Sequence, residues 1–551
     1  MTQEPPALTR ATIAWILALP LLVAWPLPMV LNSELLARSD TEAAIHIWGL
    51  WAAGVSGHPF IVQTAHMAWP DGFVGVLVDP INLPAFLLGL LVSVPLAYNL
   101  VVYTGVAISG LAGACLAQRA GGAPMLGACV GAASPPLLAQ TGLGMTETFA
   151  VGLVGLTLVA LLRALDGPGW RWRILAGLGL GMCWYAGPYN GVWVSLICAV
   201  VGTVALVRGR TPMRDRLATL GSTAALGLAL VLPLAWAVLT LRVSGQPGTG
   251  AAAGLHAPQS NPDMFRGGLR DGAALTDPFL PVFMTGGEAM ASHTAYLGAA
   301  VLVFSAVAVW RRRELWPWVA GALGLTVLAL GPWLIMKGVP VQVGDGRLMT
   351  PLGWIIVGVP FLGRLTHWYR AASVAVLLLA APVSTLARGW RGSLALGAVI
   401  MLDLALCAPL AWPLKSTPVP DTTVFDAMEG PGAMLTIPSS TTRRPNLGYW
   451  RDRIQLDQVQ HGRPVAGVAS WGGTLAPAGA HAQMLVERIA EHGTLDRSEQ
   501  ASFKGSQFRW LAVYHRFLTH DPRRKARLDG CLGPPMAKDR HVWLYLSLIH
   551  I

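Results

Sequence analysis

Apolar runs of roughly 17 to 24 residues recur along this chain from residue 11 to residue 412, each long enough as a helix to cross ~30 Å of hydrocarbon. Only helices and closed barrels satisfy their backbone polar groups in a bilayer, and runs of this length select the helix. Charged residues make up 12% of the 551 residues, far below the share in soluble domains, and the mean hydropathy is +0.52. The net charge of +11 is therefore read through membrane topology and not as a nucleic-acid footprint.

Arginines fall between the runs, as in cytoplasmic loops. Arg10 precedes the run 11–31, which reads as an uncleaved first helix, since it has no clear small-residue cleavage site. Residues 32–80 then form a first outer loop, 81–94 a half-span, and 97–118 the crossing back to Arg119. Spans follow at 124–140 and 146–165, joined by the turn TGLGMTE, then at 174–189 and 191–207, and 217–241 leads to a second outer loop at 242–293. Further spans are expected at 296–310, 316–336, 371–386 and 393–412, with the Gly/Pro-broken 351–362 as a second half-span. The fold class is an α-helical polytopic membrane protein of about eleven crossings plus two half-spans, N-terminus inside and C-terminus outside.

The composition changes at residue 413. Charges return and apolar runs shorten to strand length in AMLTIPS, RWLAVYH and HVWLYL, while HAQMLVERIAEHG has helical periodicity. The expected division is a multi-span membrane domain, 1–412, and a small soluble extracytoplasmic α/β domain, 413–551. The closing SLIHI looks like a translated sequencing-adapter fragment. The six cysteines show neither metal-site spacing nor a disulfide framework.

Residues 39–80 gather Asp40, Glu42, His46, His58, His66, Asp71 and Asp79, and few later stretches before the C-terminal region are as rich in titratable groups. Asp40 lies just beyond the first span, where a carboxylate reaches a hydroxyl at the membrane surface; it is also a favoured N-cap for TEAAIHIWGLW. Glu147 sits at the outer end of a span, where a carboxylate is costly unless it faces a cavity or accepts bonds from its turn. His46 with Asp40 frames a metal or phosphate, or else belongs to an interfacial aromatic belt with Trp48 and Trp51. His58, in a GHP turn, is a further candidate for binding substrate, or else serves the turn itself. Tyr189 and Asn190, beside Trp184 and Tyr185, supply ring faces and amides suited to a sugar, and equally to an interface.

The layout of one helix, a large outer loop opening on an acidic residue, many helices and an outer C-terminal domain resembles the GT-C superfamily of membrane glycosyltransferases, in particular bacterial relatives with a YfhO-type layout. The matching pieces are SDTEAAIHIWGLW with GHPF, PDG and DPINLP; AYNLVVYTGVAISGLAGACLAQRAGG; the LGP at residues 330–332; GRLTHWYR; and QLDQVQHGRPVAGVASW. The resemblance implies a polyprenyl-phosphate sugar donor in the bilayer, a glycan, lipid or protein acceptor outside a bacterial plasma membrane, and no nucleic acid. It makes Asp40 the catalytic base or the ligand of a divalent ion, Mg or Mn, and Glu147 a second acidic site. Arg364, His367, Tyr369 and Arg370 lie beside a broken helix, where guanidinium groups suit a lipid phosphate; the same residues serve as ordinary interfacial anchors. Two other classes compete: a transporter or flippase, which favours an internal symmetry this sequence lacks, and a non-catalytic assembly protein.

Overall fold

The computed structural model describes residues 8–37, 43–57, 61–64, 66, 73–76, 92–167, 169–209, 211–243, 273–280, 295–336, 339–344, 346–358, 367–408, 412–419, 422–438, 448–466, 477–506, 508–515 and 522–546. The apolar runs are helices. The first run is α1 (Arg10–Val23), N-capped by the Thr9 hydroxyl, which accepts from the Thr12 N–H at 3.2 Å, and the short α2 (Leu27–Val30) beyond Pro26. Next come α3 (Ala43–Ser56) in the first loop and α4 (Val94–Arg119). Pro95 does not interrupt a span: it lies in the first turn of α4, where a missing N–H costs nothing. Of the half-span expected at 81–94, residues 81–91 lie outside the described residues, and Val94 already belongs to α4.

The single span expected over 124–140 is two helices, α5 (Pro124–Ala132) and α6 (Pro135–Gly142). Pro135 and Pro136 cannot donate to the preceding turn, and Ser134 before them is driven to an extended ψ of 117°. The series continues with α7 (Val151–Asp166), α8 (Trp170–Tyr185), α9 (Pro188–Arg208) and α10 (Met213–Val243). It closes with α11 (Ala299–Arg311), α12 (Trp316–Ala329), the six-residue α13 (Gly353–Gly358), α14 (Ala371–Ser384) and α15 (Gly389–Cys407). At six residues α13 reaches only ~9 Å.

Four helices among the described residues are long and apolar enough to cross a bilayer: Val94–Arg119, Pro188–Arg208, Met213–Ala237 and Gly389–Cys407. α8, α9, α10 and α15 expose Leu175, Val204, Leu232 and Leu402, the mark of a lipid-facing surface. By contrast α14 is buried at all 14 residues and forms the centre of the bundle. The chain is a multi-pass membrane protein.

Small residues set how closely the inner helices approach. A Cβ on Gly113 of α4 would stand 2.1 Å from the Gly127 carbonyl oxygen of α5, and one on Gly127 would stand 2.4 Å from the Gly113 carbonyl, so the two backbones touch. Asp403, near the C-terminal end of the apolar α15, serves another helix's start: it accepts from the Tyr296 hydroxyl at 2.8 Å and the Ala300 N–H at 3.2 Å, at the start of α11. At one end of the bundle Arg119 donates to Asp166 at 2.9 Å and the Arg163 guanidinium lies 4.4 Å from the centre of the Trp172 ring.

At the other end, fully buried Asn99 of α4 organises the chain leaving α2. Its Oδ1 accepts from the Leu36 N–H at 3.1 Å, and its Nδ2 lies 2.7 Å from the Glu34 carbonyl and 3.1 Å from those of Val30 and Leu31. Strand β1 (Glu34–Leu35) follows, then the hairpin of β2 (Ile61–Thr64) and β3 (Phe73–Val76). β1 pairs antiparallel with β4 (Thr417–Pro418), and the Thr417 hydroxyl donates to the Ala37 carbonyl at 2.6 Å. The Trp412 indole donates to the Val23 carbonyl at 3.1 Å, so the chain leaving the last helix is laced onto the end of the first.

Beyond that junction lies a four-stranded sheet in the order β7-β8-β6-β5: β5 is Ala433–Ile437, β6 Phe508–Tyr514, β7 Ala537–Lys538 and β8 Val542–Leu546. β5 and β6 run parallel, and the other pairs antiparallel. Helix α16 (Gly448–His461) packs on one face, where Ile454 joins Trp510 and Tyr514. On the other lie α17 (Pro477–His492), α18 (Arg497–Gly505), held by an Asp496–Glu499 capping box, and α19 (Pro522–Leu532). Buried Asp457 pins α16 to the sheet, accepting from the Tyr514 hydroxyl and Arg453 Nε, both at 2.8 Å. Burial outweighs the Arg453 charge and pushes its carboxyl up to about 6.

Candidate active site

The apolar sequence AAIHIWGLWAAGVS makes α3 helical, and its first residue, Ala43, rests on the turn that follows α6. Gly144 in that turn has φ +70°, and a Cβ there would lie 2.5 Å from the Ala43 Cβ, so only glycine allows the approach. One turn into α3, His46 Nδ1 lies 2.9 Å from the Thr146 hydroxyl, both groups buried. Thr146–Thr148 is a single 3₁₀ turn that carries Glu147 between two buried threonines.

Met145, just before that turn, connects to a second group. Its sulfur lies 3.9 Å from both the Tyr369 hydroxyl and Arg370 Nη2. Arg370 is 3% exposed, and its guanidinium carbon stands 4.6 Å from the centre of the Tyr189 ring. The Tyr189 hydroxyl is 3.2 Å from His367 Nδ1, and the His367 ring meets the Tyr189 and Tyr369 rings edge-on, with centres 6.0 and 5.7 Å apart.

Two backbone features aim these side chains. Gly187 at φ 139° and Pro188 in the first helical turn start α9 so that Tyr189 stands at its head. His367 adopts a left-handed φ of 61°, unusual for a residue with a Cβ, directly before the 3₁₀ turn Trp368–Arg370 that leads into α14. Non-glycine residues held there cluster at functional sites.

Trp368, next to Tyr369, packs edge-on against Trp193 and lines an apolar groove of about 1120 Å³ between α7, α9, α12 and α14. Leu158, Leu196, Val200, Leu325 and Leu378 form its walls, and Asp166, Arg208 and Arg216 stand at its far end. The groove thus runs from the arginine-rich end of the bundle to Trp368, the one member of the 367–370 segment that lines it. An apolar groove lined by Trp368, two residues before the buried Arg370 guanidinium, suits an amphiphile with an anionic head.

Of the residues singled out from the sequence, the structure brings Tyr189, His367, Tyr369 and Arg370 into one cluster and sets His46 beside the turn that bears Glu147. Asn190 is buried and donates back to the Ala186 carbonyl at 3.4 Å. Asp40, His58 and Arg364 lie outside the described residues, as does the side chain of Glu147. Among the described residues no three His, Cys, Asp or Glu side chains converge on a point suited to a metal ion, and Asp40, the expected ligand of Mg or Mn, is not among them. Met145 was silent in the sequence, since a thioether in an apolar run has no distinguishing signal. Trp368 was visible only as one aromatic letter in GRLTHWYR.

No family model and no curated protein matches the sequence. Solved structures do. The cryo-EM structure of the arabinofuranosyltransferase AftD from Mycobacteria superposes with a TM-score of 0.57 at 16% identity, over 99% of this chain and 40% of that one. The chain has the GT-C fold. A mutant of the same arabinofuranosyltransferase gives 0.52 at 17% identity, over 99% of this chain and 42% of that one. The oligosaccharyltransferase of Archaeoglobus fulgidus follows at 0.45 and 12%, over 95% of this chain and 69% of its own. The chain spans about 40% of the length of the arabinofuranosyltransferase it matches.

Proposed function

We propose that this protein is a glycosyltransferase that moves a sugar from a polyprenyl-phosphate donor to an extracytoplasmic glycan, lipid or protein acceptor. The observation that carries the reading is the apolar groove ending at Trp368, beside the buried Arg370. The isoprenoid tail lies in the groove, and Arg370, with Arg364, holds the phosphate. Asp40 takes the proton of the acceptor hydroxyl, whose oxygen attacks the anomeric carbon from the face opposite the phosphate. The bond from that carbon to the phosphate oxygen breaks, and polyprenyl phosphate leaves with its new charge against Arg370. The anomeric centre inverts.

Chain length is compatible with Asp40: it is three residues before Ala43, at most ~11 Å of extended chain from that residue, which itself rests on the Gly144 turn. Glu147 is the second acidic group, and a divalent ion at Asp40 would add charge neutralisation at the phosphate. The topology follows from charge. Arg119, Arg163, Arg208 and Arg216 share one end of the bundle, which the positive-inside rule makes cytoplasmic; the site then faces outward across a bacterial plasma membrane. We assign 1–412 to the membrane domain, with about eleven crossings, and 413–551 to an outer α/β domain.

The test is transfer of radiolabelled sugar from a panel of polyprenyl-phosphate donors, in membranes carrying wild type, Asp40→Asn or Arg370→Lys at matched levels. Asp40→Asn should abolish transfer. Arg370→Lys keeps the charge but loses the planar group over Tyr189, and should raise the donor KM about tenfold. Absence of wild-type transfer with every donor refutes the reading.

A further inference from the structure

The segment QLDQVQHGRPVAG, residues 455–467, is absorbed by none of the chemistry above, yet it meets the first outer loop at several points. The indole N–H of Trp48 on α3, wholly buried, donates to Gln458 Oε1 at 3.0 Å. The same amide's Nε2 donates to the His66 carbonyl at 2.6 Å and to the Arg463 carbonyl at 3.2 Å. The His66 carbonyl also accepts from the Val465 N–H at 3.0 Å, and His66 Nδ1 lies 2.8 Å from the Gly462 carbonyl. The His66 ring stands edge-on to Trp51, with centres 5.7 Å apart. One glutamine amide therefore joins a side chain of α3, the backbone further along the same loop and its own turn.

The geometry of α3 gives this contact meaning. His46 and Trp48 are two positions apart, about 200° around a helix, so they leave α3 on opposite sides. His46 meets the Thr146 turn, and Trp48 meets Gln458. The helix is held between the bundle and α16, and α16 is fixed to the sheet by the Asp457–Tyr514 bond one residue before Gln458.

We propose that Gln458 is a positioning residue: by gripping Trp48 and the His66 carbonyl it sets where α3 lies against the Thr146 turn, and so where His46 stands beside the turn whose Met145 touches Arg370. This inference rests on the glycosyl-transfer reading.

The experiment uses the full chain in lipid nanodiscs, with Gln458→Leu, Trp48→Phe and the double variant. It reads amide hydrogen exchange over 43–56 and 508–514, and kcat and donor KM for sugar transfer. Gln458→Leu should speed exchange across 43–56 about tenfold and leave 508–514 unchanged, with kcat down about tenfold and donor KM within about twofold. Trp48→Phe should move the same readouts in the same direction, and the double variant should be no worse than Gln458→Leu alone. Unchanged exchange over 43–56, unchanged kcat, or faster exchange over 508–514 as well would each overturn the proposal, the last by making Gln458 a residue of the sheet's own stability. A wild type that transfers no sugar fails the glycosyl-transfer reading instead, and the exchange data then report the grip on α3 by themselves.

Discussion

Replacing Asn99 with leucine tests how the first outer loop is launched. Leucine has the same four-atom, γ-branched side-chain skeleton as asparagine, so the change removes polar atoms without opening a cavity. The amide has two hydrogens, so only two of the three carbonyls within reach, those of Glu34, Val30 and Leu31, can be bonded at full strength at once. With the bond from the Leu36 N–H, that makes three effective hydrogen bonds, each worth about 1 kcal/mol net, or ~3 kcal/mol for the local structure. At 1.4 kcal/mol per decade this is about a hundredfold rise in the open population of the turn. The assay is amide exchange at Leu36, the N–H held by Asn99 Oδ1. Exchange there should accelerate about a hundredfold in Asn99→Leu, with α14 unchanged. A rate within about threefold of wild type would refute the argument, because it would mean that the amide does not hold the turn.

Two further outcomes follow from the packing and from burial. Gly113→Ala places a methyl 2.1 Å from the Gly127 carbonyl, so α4 and α5 must separate; the loss should exceed ~4 kcal/mol and lower the thermal unfolding midpoint in nanodiscs, and an unchanged midpoint would contradict the backbone contact. Asp457 carries a folded-state pKa of about 6 against an ordinary 3.8, so between these values the folded chain keeps a proton that the unfolded chain has released. Its contribution is therefore fully present below pH ~4, falls as pH rises through ~6 and is flat above that. The stability difference between Asp457→Asn and wild type should shift toward the variant by ~1–3 kcal/mol between pH 4 and 7, measured by denaturant unfolding; a pH-independent difference would remove burial as the cause.

The helical scaffold was legible because a bilayer demands long apolar runs, and those runs are helices. The break at Ser134 was written in the Pro135–Pro136 pair, yet the run around it is apolar enough to read as one span. Tyr189 and Arg370 could be chosen by residue type, but nothing local says that a ring at the head of α9 and a guanidinium before α14 share one place. Asn99 and Gln458 were hidden for a related reason: their partners lie 63 and 410 residues away, and a lone amide in a helix has the same pattern whether it faces solvent or organises a loop. Asp403 was passed over inside an apolar run because its partner, Tyr296, is 107 residues distant.

The lacing of residues 412–418 onto the first helix and loop also fixes an order of events during synthesis. Thr417 and Ala37 are 380 residues apart, and at roughly 5–20 residues per second a ribosome needs about 20–75 s to deliver the second after the first. Through that interval β1 has no strand to pair with, and the loop that carries the proposed base waits for residues 412–418 to arrive. A nascent chain halted before residue 412 would hold most of the described helices and still lack the strand that pairs with β1.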